Sequence, residues 1–588
     1  VELIKDCLRI FEKDLAEKTD ALILDNYVPK DGTYLIIRME NEDLIAQEPV
    51  EIRFDKKKGE LVGETNTYYK YLQQLDYYSK LVEMNKPIDP QKIIHSNNYL
   101  SFFIKKESLN SKKVTMEIID KYYEILQNPI MKYEKKAKSK ELYNIVEAEI
   151  GAPDALLLQK IQVWVKSNLS ELDVDISQKD YLKLFFVFPK RAETIEFYQR
   201  EGRRYLLPNI YNNNEFNIIS GEQVYGLPND NMGMNAKKPY LEHKSRKVKE
   251  PYLLSLDEVL VQGKFFDYLM GKASIGLIHV YVDTKWDRIL FCKPTEFAED
   301  FKEGIFLRIQ KGKELEIHSC DVIINYNYNL KRTFILKEIF NIPEKVISKF
   351  EPGYGSKYNL RDMQIMIDDV FFGKWLSNNY FTDPGDISIK DGIVKFNLLK
   401  SRERLFSWFY KGNTEGVDSL LQHVSLELIK NSIVNGNSIK AKHQLNLRWS
   451  LMDYFAENNE MEVRMTQVKE TLRKHINCKD DWEFDDSDEY YYAVGQLVAF
   501  YLSKTKGGRK LLSFVNPFLN AKKDDIIKRR LNYLFKKVNY DLETKDFRAK
   551  KLISHVMAYQ PDDRVNQDIL ISGFTDDLLI YEKKEEGK

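Results

Sequence analysis

The sequence predicts an α+β protein, with a mixed α/β N-terminal body followed by an all-α C-terminal helical bundle. Three observations predict it. Short apolar runs of period two recur through residues 1–350 with helical segments between them, and from about Ser438 the period lengthens to that of helices and stays there. Between the two regimes, "EPGYGSKYNL" from Glu351 to Leu360 is punctuated by Pro352, Gly353 and Gly355 and reads as a hinge. A chain of 588 residues is too long for one compact core. The predicted division is a mixed domain over 1–350, a hinge and connecting helical region over 351–437, and a helical bundle over 438–588.

The elements follow in order. "VELIKDCLRIFEKDL" spaces its apolar residues as a helix does and carries acids throughout, unlike a secretion signal. "TYLIIRME" and "PVEIRFDKKKGELVGE" alternate as strands, the second around a Lys-Gly turn that predicts a hairpin. "LSFFIKK", "KLFFVF", "EFNIIS", "GLIHVYVD", "RILFCK" and "GIFLRIQKGKELEIHS" predict further strands, and Glu141 to Val165 a helix. The bundle's predicted helices are Ser438 to Glu457, Met461 to Ile476, Asp488 to Lys504, Lys522 to Val538, Thr544 to Tyr559 and Val565 to Tyr581. Gly507, Gly508, Pro517 and Pro561 punctuate them.

Composition narrows the function. Hydrophobic residues at 43% and charged residues at 31% describe a folded chain rather than a disordered one. Cys7, Cys292, Cys320 and Cys478 are far apart, which signals neither zinc nor a disulfide framework and fits a reducing, cytoplasmic setting. The longest uncharged run, Tyr490 to Ser503, is too short for a bilayer and reads as a buried helix, so no membrane partner is expected.

Catalytic signatures are missing. "MGKAS" at Met270 to Ser274 lacks the upstream glycine and the hydroxyl of a phosphate loop, and Gly353 and Gly355 lack the third glycine of a dinucleotide fingerprint. His318 and Cys320 share one side of a strand-like run, but structural zinc wants four ligands. "KDDWEFDDSDEYYY" gathers Asp480, Asp481, Glu483, Asp485, Asp486, Asp488 and Glu489. It reads first as a solvated loop and helix start, where carboxylates complement the dipole, and second as a metal site. No enzyme activity, cofactor or metal is therefore expected.

What remains is charge placed locally within a net charge of zero. "GLPNDNMGMNAKKP" leads into Lys237, Lys238, Lys244, Arg246, Lys247 and Lys249, opposed only by Glu242. Asparagine amides can donate and accept at base edges while lysines hold phosphates, although asparagine is also a good turn former. A second run holds Lys504, Lys506, Arg509, Lys510, Lys522, Lys523, Lys528, Arg529, Arg530, Lys536 and Lys537 against Asp524 and Asp525. Such runs neutralise phosphates, or are simply solvated faces.

Three long strings carry a resemblance: "GLPNDNMGMNAKKPYLEHKSRK", "YYYAVGQLVAFYLSKTKGGRKLLSFVNPFLNAKKDDIIKRRL" and "HVMAYQPDDRVNQDILISGFTDDLLIYEKK". They resemble the large subunit of the type I-B CRISPR interference complex, Cascade, over essentially the whole chain. Some relatives in that family carry a cysteine cluster that suggests zinc, which this chain lacks. The resemblance implies a non-catalytic subunit that reads the protospacer-adjacent motif on duplex DNA and helps open the strands, while crRNA pairing supplies sequence specificity. The partners it implies are crRNA, target duplex DNA and its displaced single strand, the backbone, crRNA 5′-end-capping and small subunits of Cascade, and the helicase-nuclease that cuts the target. It also implies a C-terminal bundle similar to the small subunit, for which Met452, Met461 or Met465 could serve as an internal start.

On that footing Asn235 is expected to probe base edges, with Asn229 and Asn231 as second choices, and Lys237, Lys238, Lys244, Arg246 and Lys247 to grip phosphates. Lys504, Lys506, Arg509, Lys510, Lys522, Lys523, Lys528, Arg529 and Arg530 are expected on the displaced strand, since a basic helical surface can follow a backbone without reading it. Tyr490 to Tyr492 either stack bases or open an apolar core helix. Two rival expectations stand beside this one: a metal-dependent nuclease built on Asp480 to Glu489, and a scaffold that touches only protein and crRNA.

Overall fold

"GTYLIIRME" and "YLKLFFV" are the two most continuously apolar strands of the N-terminal half, and they lie side by side. The structure is a computed structural model that describes residues 2–40, 43–55, 60–81, 87–211, 213–221, 223–228, 253–312, 315–457, 460–505, 514–539, 547–562 and 564–582. In it Gly32–Glu40 and Tyr181–Val187 run parallel, with Tyr34 opposite Lys183 and Ile36 opposite Phe185. Parallel strands at a sheet's centre are covered on both faces, which is why these two read as apolar runs rather than strict alternation. The sheet order is Glu60–Val62, Val50–Asp55, Gly32–Glu40, Tyr181–Val187, Ser101–Lys105, with Asp43–Ala46 also paired to Gly32–Glu40. Val50–Asp55 and Glu60–Val62 form the hairpin that the sequence predicts.

The chain divides into two compact units, Val1–Pro294 with Gly304–Val322, and Thr295–Glu303 with Ile323–Lys588. In the first unit, helices Met116–Gln127 and Ala155–Asn168 share one core with the central sheet, through Ile118, Tyr122, Leu158 and Ile161. The single helix expected over Glu141 to Val165 is two helices, Ala137–Ile150 and Ala155–Asn168. "GAPD" separates them, and the Asp154 carboxylate caps the second by accepting from the Leu156 and Leu157 amides. Lys183 sits on the central strand with its ammonium buried. Its Nζ is 2.5 Å from Asp76 Oδ1, while Tyr27 Oη donates to Asp76 Oδ2 at 2.8 Å. The Tyr34 and Phe103 rings lie 4.9 and 4.8 Å from that ammonium. Burial lowers the Lys183 pKa, and the contact with Asp76 opposes that shift.

A second sheet of the first unit has the order Arg288–Cys292, His279–Asp283, Gly304–Lys311, Leu315–Ile323. Helices Glu2–Lys18 and Leu256–Ser274 pack against it through Ile10, Phe11, Phe265 and Leu269. A third, small sheet joins Ile218–Ser220, Gln223–Gly226 and Leu254–Ser255.

In the second unit, Asn329–Leu336 pairs antiparallel with Gly355–Asn359, a strand that falls within the stretch expected as a hinge. Asn359 then caps helix Leu360–Ile367 by accepting from the Asp362 amide. From 392 to 581 the described chain is all helical: Gly392–Lys411, Val417–Val434, Ser438–Ala456, Glu460–Asn477, Ser487–Ser503, Asn516–Leu519, Asp524–Val538, Phe547–Ala558, Gln567–Thr575 and the short turn Leu579–Tyr581. The helix expected over Val565 to Tyr581 stops at Thr575. Asp576 leaves the helix with extended backbone and accepts from buried Tyr492 Oη at 2.5 Å.

Ser487–Ser503 is the axis of this region, buried on nearly every side and crossed closely by Gln567–Thr575. The crossing depends on two glycines. A Cβ on Gly495 would fall 2.2 Å from the Leu570 carbonyl oxygen, and one on Gly573 would fall 2.1 Å from that of Tyr492. Among the described residues, no helix is long and apolar enough to cross a membrane.

Candidate nucleic-acid interface

The expected motif-reading residues Asn229, Asn231, Asn235, Lys237, Lys238, Lys244, Arg246 and Lys247 lie outside the described residues. The strands on either side of them in the chain are described. The chain leaves on Gln223–Gly226 and returns on its antiparallel neighbour Leu254–Ser255, with Gly226 opposite Leu254. Tyr211 Oη donates toward both strands, lying 2.9 Å from the Val224 carbonyl oxygen and 3.1 Å from that of Leu254. A side chain on Gly226 would strike the Tyr211 ring at 2.4 Å, so the glycine lets the ring seat. On the return side Ser255 and Glu258 form a reciprocal cap that fixes the start of helix Leu256–Ser274. The described strands before residue 229 and after residue 252 thus pair in one small sheet.

The second expected patch resolves into residues with different roles. Lys506, Arg509 and Lys510 lie outside the described residues. Lys504 follows helix Ser487–Ser503, and its Nζ lies over Phe500 and Tyr581, 5.4 and 5.9 Å from the ring centroids. Helix Asp524–Val538 buries Ile527, Leu531, Leu534 and Val538, an apolar stripe at spacings of three and four. Arg529, Arg530, Tyr533, Lys536 and Lys537 lie on the exposed side, and Lys522 and Lys523 are exposed just before the helix. Lys522, Lys523, Arg530 and Lys536 make no ion pair with any described residue.

Lys528 differs from its neighbours although it sits in the same run. Its side chain is 12% exposed, pairs with Asp524 at 3.3 Å and donates to the Tyr559 carbonyl. The Asp524 carboxylate also accepts from Tyr490 Oη at 2.6 Å. Lys528 therefore belongs to the packing of the helix rather than to its solvent face.

The aromatic residue on that face is Tyr533, half exposed, with Lys537 Nζ 4.7 Å from its ring centroid. Sequence reasoning passed over it and considered Tyr490 to Tyr492 instead. Those three are fully buried and cannot stack a base from solvent. The signal for Tyr533 was its spacing, four residues after Arg529 and three before Lys536, out of phase with the buried stripe.

The acidic run does begin a helix. The Asp486 side chain accepts from the Glu489 amide at 2.8 Å and caps Ser487–Ser503. It also brings His475, Asp485 and Glu489 together, with one potential ligand atom of each within 4.8 Å of the others. Glu489 is buried and both its oxygens are engaged: Oε1 lies 2.7 Å from His475 Nδ1, and Oε2 accepts from the Asp485 amide at 2.9 Å. Burial pushes its carboxyl upward, against the Asp485 amide and His475. The imidazole stacks on Trp482 at 4.7 Å, and the other stacking neighbour of Trp482 is His555 at 4.0 Å. As described, this cluster ties the 478–486 loop to its helices. Comparison with protein-family models, with curated proteins and with solved structures finds no match to the chain.

Proposed function

We propose that the chain is the non-catalytic large subunit of a crRNA-guided type I-B CRISPR surveillance complex in the cytoplasm. It reads the protospacer-adjacent motif in duplex DNA, promotes strand opening and helps recruit the helicase-nuclease. The resemblance of the three long strings carries this reading. The observation that supports its nucleic-acid part is the cationic, aromatic-bearing solvent face of helix Asp524–Val538, which suits a single strand followed through its phosphates. Asn235 with Lys237 and Lys238 reads and grips the motif, and Lys522, Lys523, Arg529, Arg530, Lys536 and Lys537 hold the displaced strand.

The test is binding of the assembled complex to duplex targets with matched and mismatched adjacent motifs. Asn235→Ala is expected to flatten the preference between motifs, and Lys237→Ala with Lys238→Ala to weaken all targets alike. If both variants behave as the parent does, the segment is not the reader. Charge reversal of both basic patches with no loss of target binding would favour the scaffold reading instead.

A metal-dependent nuclease is the second reading, favoured by the proximity of His475, Asp485 and Glu489. Purified chain that cuts DNA in magnesium or manganese, and stops on Asp485→Asn, would establish it. No cleavage under those conditions leaves the three residues as loop anchors.

A further inference from the structure

The turn between His279–Asp283 and Arg288–Cys292 is held more firmly than a connection needs to be, and it presents a tryptophan to solvent. Asp283 is 1% exposed, and its Oδ1 accepts from the Lys285 and Trp286 amides, both at 3.1 Å. Its Oδ2 accepts from Arg288 Nε at 3.0 Å. Asp287 takes a left-handed conformation, with φ of 47°, and its carboxylate pairs with Arg9 at 3.0 Å and with Lys13 on helix Glu2–Lys18. The tip is thus braced from inside by a buried carboxylate and from the side by a helix. Trp286, between these anchors, is 65% exposed, against 40% for Trp375, the next most exposed tryptophan.

We propose that Trp286 is a stacking platform for an unpaired nucleobase. The lysine beside it and its exposure to water favour this occupant over an apolar protein groove. Lys285 Nζ lies 5.8 Å from the indole centroid, whereas Arg9 and Lys13 pair with Asp287 and Arg288 pairs with Asp283. A tryptophan that anchors a protein partner sits in a desolvated apolar centre. One with a lysine beside its ring suits a strand that sets a phosphate at Lys285 while a base covers the indole. This inference rests on the nucleic-acid reading above but uses neither of its two patches.

The test uses the full chain at low salt, with fluorescein-labelled oligothymidylate and a strand of equal length made of abasic sites. Trp286→Ala is expected to weaken the thymidylate strand about tenfold or more and to leave the abasic strand unchanged. Trp286→Tyr retains most of the parent's affinity. The thymidylate strand is expected to quench tryptophan emission in the parent and to quench it far less in Trp286→Phe. Equal binding of parent and Trp286→Ala to the thymidylate strand overturns the proposal, and so does an equal loss on both strands. Arg529→Ala with Arg530→Ala, measured in parallel, separates the two claims. If that variant binds as the parent does while Trp286→Ala does not, the helix reading falls and the stacking site stands. A parent that binds neither strand overturns both.

Discussion

Lys528 and Arg530 are neighbours in one basic run, yet the structure assigns them opposite consequences on substitution. Six exposed cations, Lys522, Lys523, Arg529, Arg530, Lys536 and Lys537, are available to phosphates on or beside helix Asp524–Val538. Each phosphate neutralised on a single strand releases about 0.7 counterion, so full engagement gives a slope of about −4 in log affinity against log salt. Removing Arg529 and Arg530 together makes that slope shallower by about 1.4. Between 50 and 200 mM salt the parent then loses about sevenfold more affinity than the variant. Lys528→Ala leaves the slope unchanged, because its ammonium already serves Asp524 and the Tyr559 carbonyl. It lowers stability by about 1–2 kcal/mol instead, since it strands a half-buried carboxylate and a carbonyl. Fluorescence anisotropy with labelled oligothymidylate over a salt series reads the slope, and denaturant unfolding followed by circular dichroism reads stability. A Lys528→Ala variant that flattens the slope as strongly as the loss of one arginine would refute the assignment, as would a double arginine variant with the parental slope.

Three further outcomes follow from the second unit and from the cysteines. Gly573→Ala forces apart helices Ser487–Ser503 and Gln567–Thr575, whose backbones meet there, and is expected to cost about 3 kcal/mol or more; an unchanged denaturation midpoint would mean the crossing is looser than described. His443 packs between Phe350 and Tyr354 with its Nε2 buried and unpaired, and burial lowers its imidazole to about 4, with Asp369 opposing. The unfolded chain therefore holds one more proton between about pH 4 and the ordinary 6.5. Stability from this site is complete above 6.5 and is lost as pH falls toward 4, by at most about 3 kcal/mol, and His443→Phe should flatten that part of the acid limb of an unfolding titration. Cys320 and Cys478 are exposed and should react promptly with a thiol reagent at pH 8. Cys7, whose thiol burial pushes up to about 12, and buried Cys292 should react only on unfolding; prompt labelling of all four would contradict the packing of the first helix.

The sequence revealed what local periodicity controls. The strand-forming runs "TYLIIRME" and "KLFFVF" are apolar because they end up central, and their composition declares it. That they are parallel partners, with four strands and several helices between them in the chain, depends on long-range pairing that no local pattern encodes. The break at Gly151 to Asp154 was legible in principle, since "GAPD" holds a glycine, a proline and a capping residue in succession, but the apolar period continues across it and hides the stop.

Charge was harder to read than period, for a physical reason. A run of lysines and arginines states how many cations there are, whereas phosphate binding depends on how many keep their charge toward water. On helix Asp524–Val538 that choice is made by phase. Arg529, Arg530, Lys536 and Lys537 fall opposite the stripe from Ile527 to Val538, while Lys528 falls where Asp524 and the Tyr559 carbonyl can reach it. Asp524 is visible in sequence as an i,i+4 partner, but Tyr559 arrives from another helix end and could not be foreseen. Trp286 carries the same lesson for an apolar side chain. "DTKWDR" announces a turn through Asp283, but only the completed bonding of that carboxylate to Lys285, Trp286 and Arg288 shows how the turn is fixed with its indole in water.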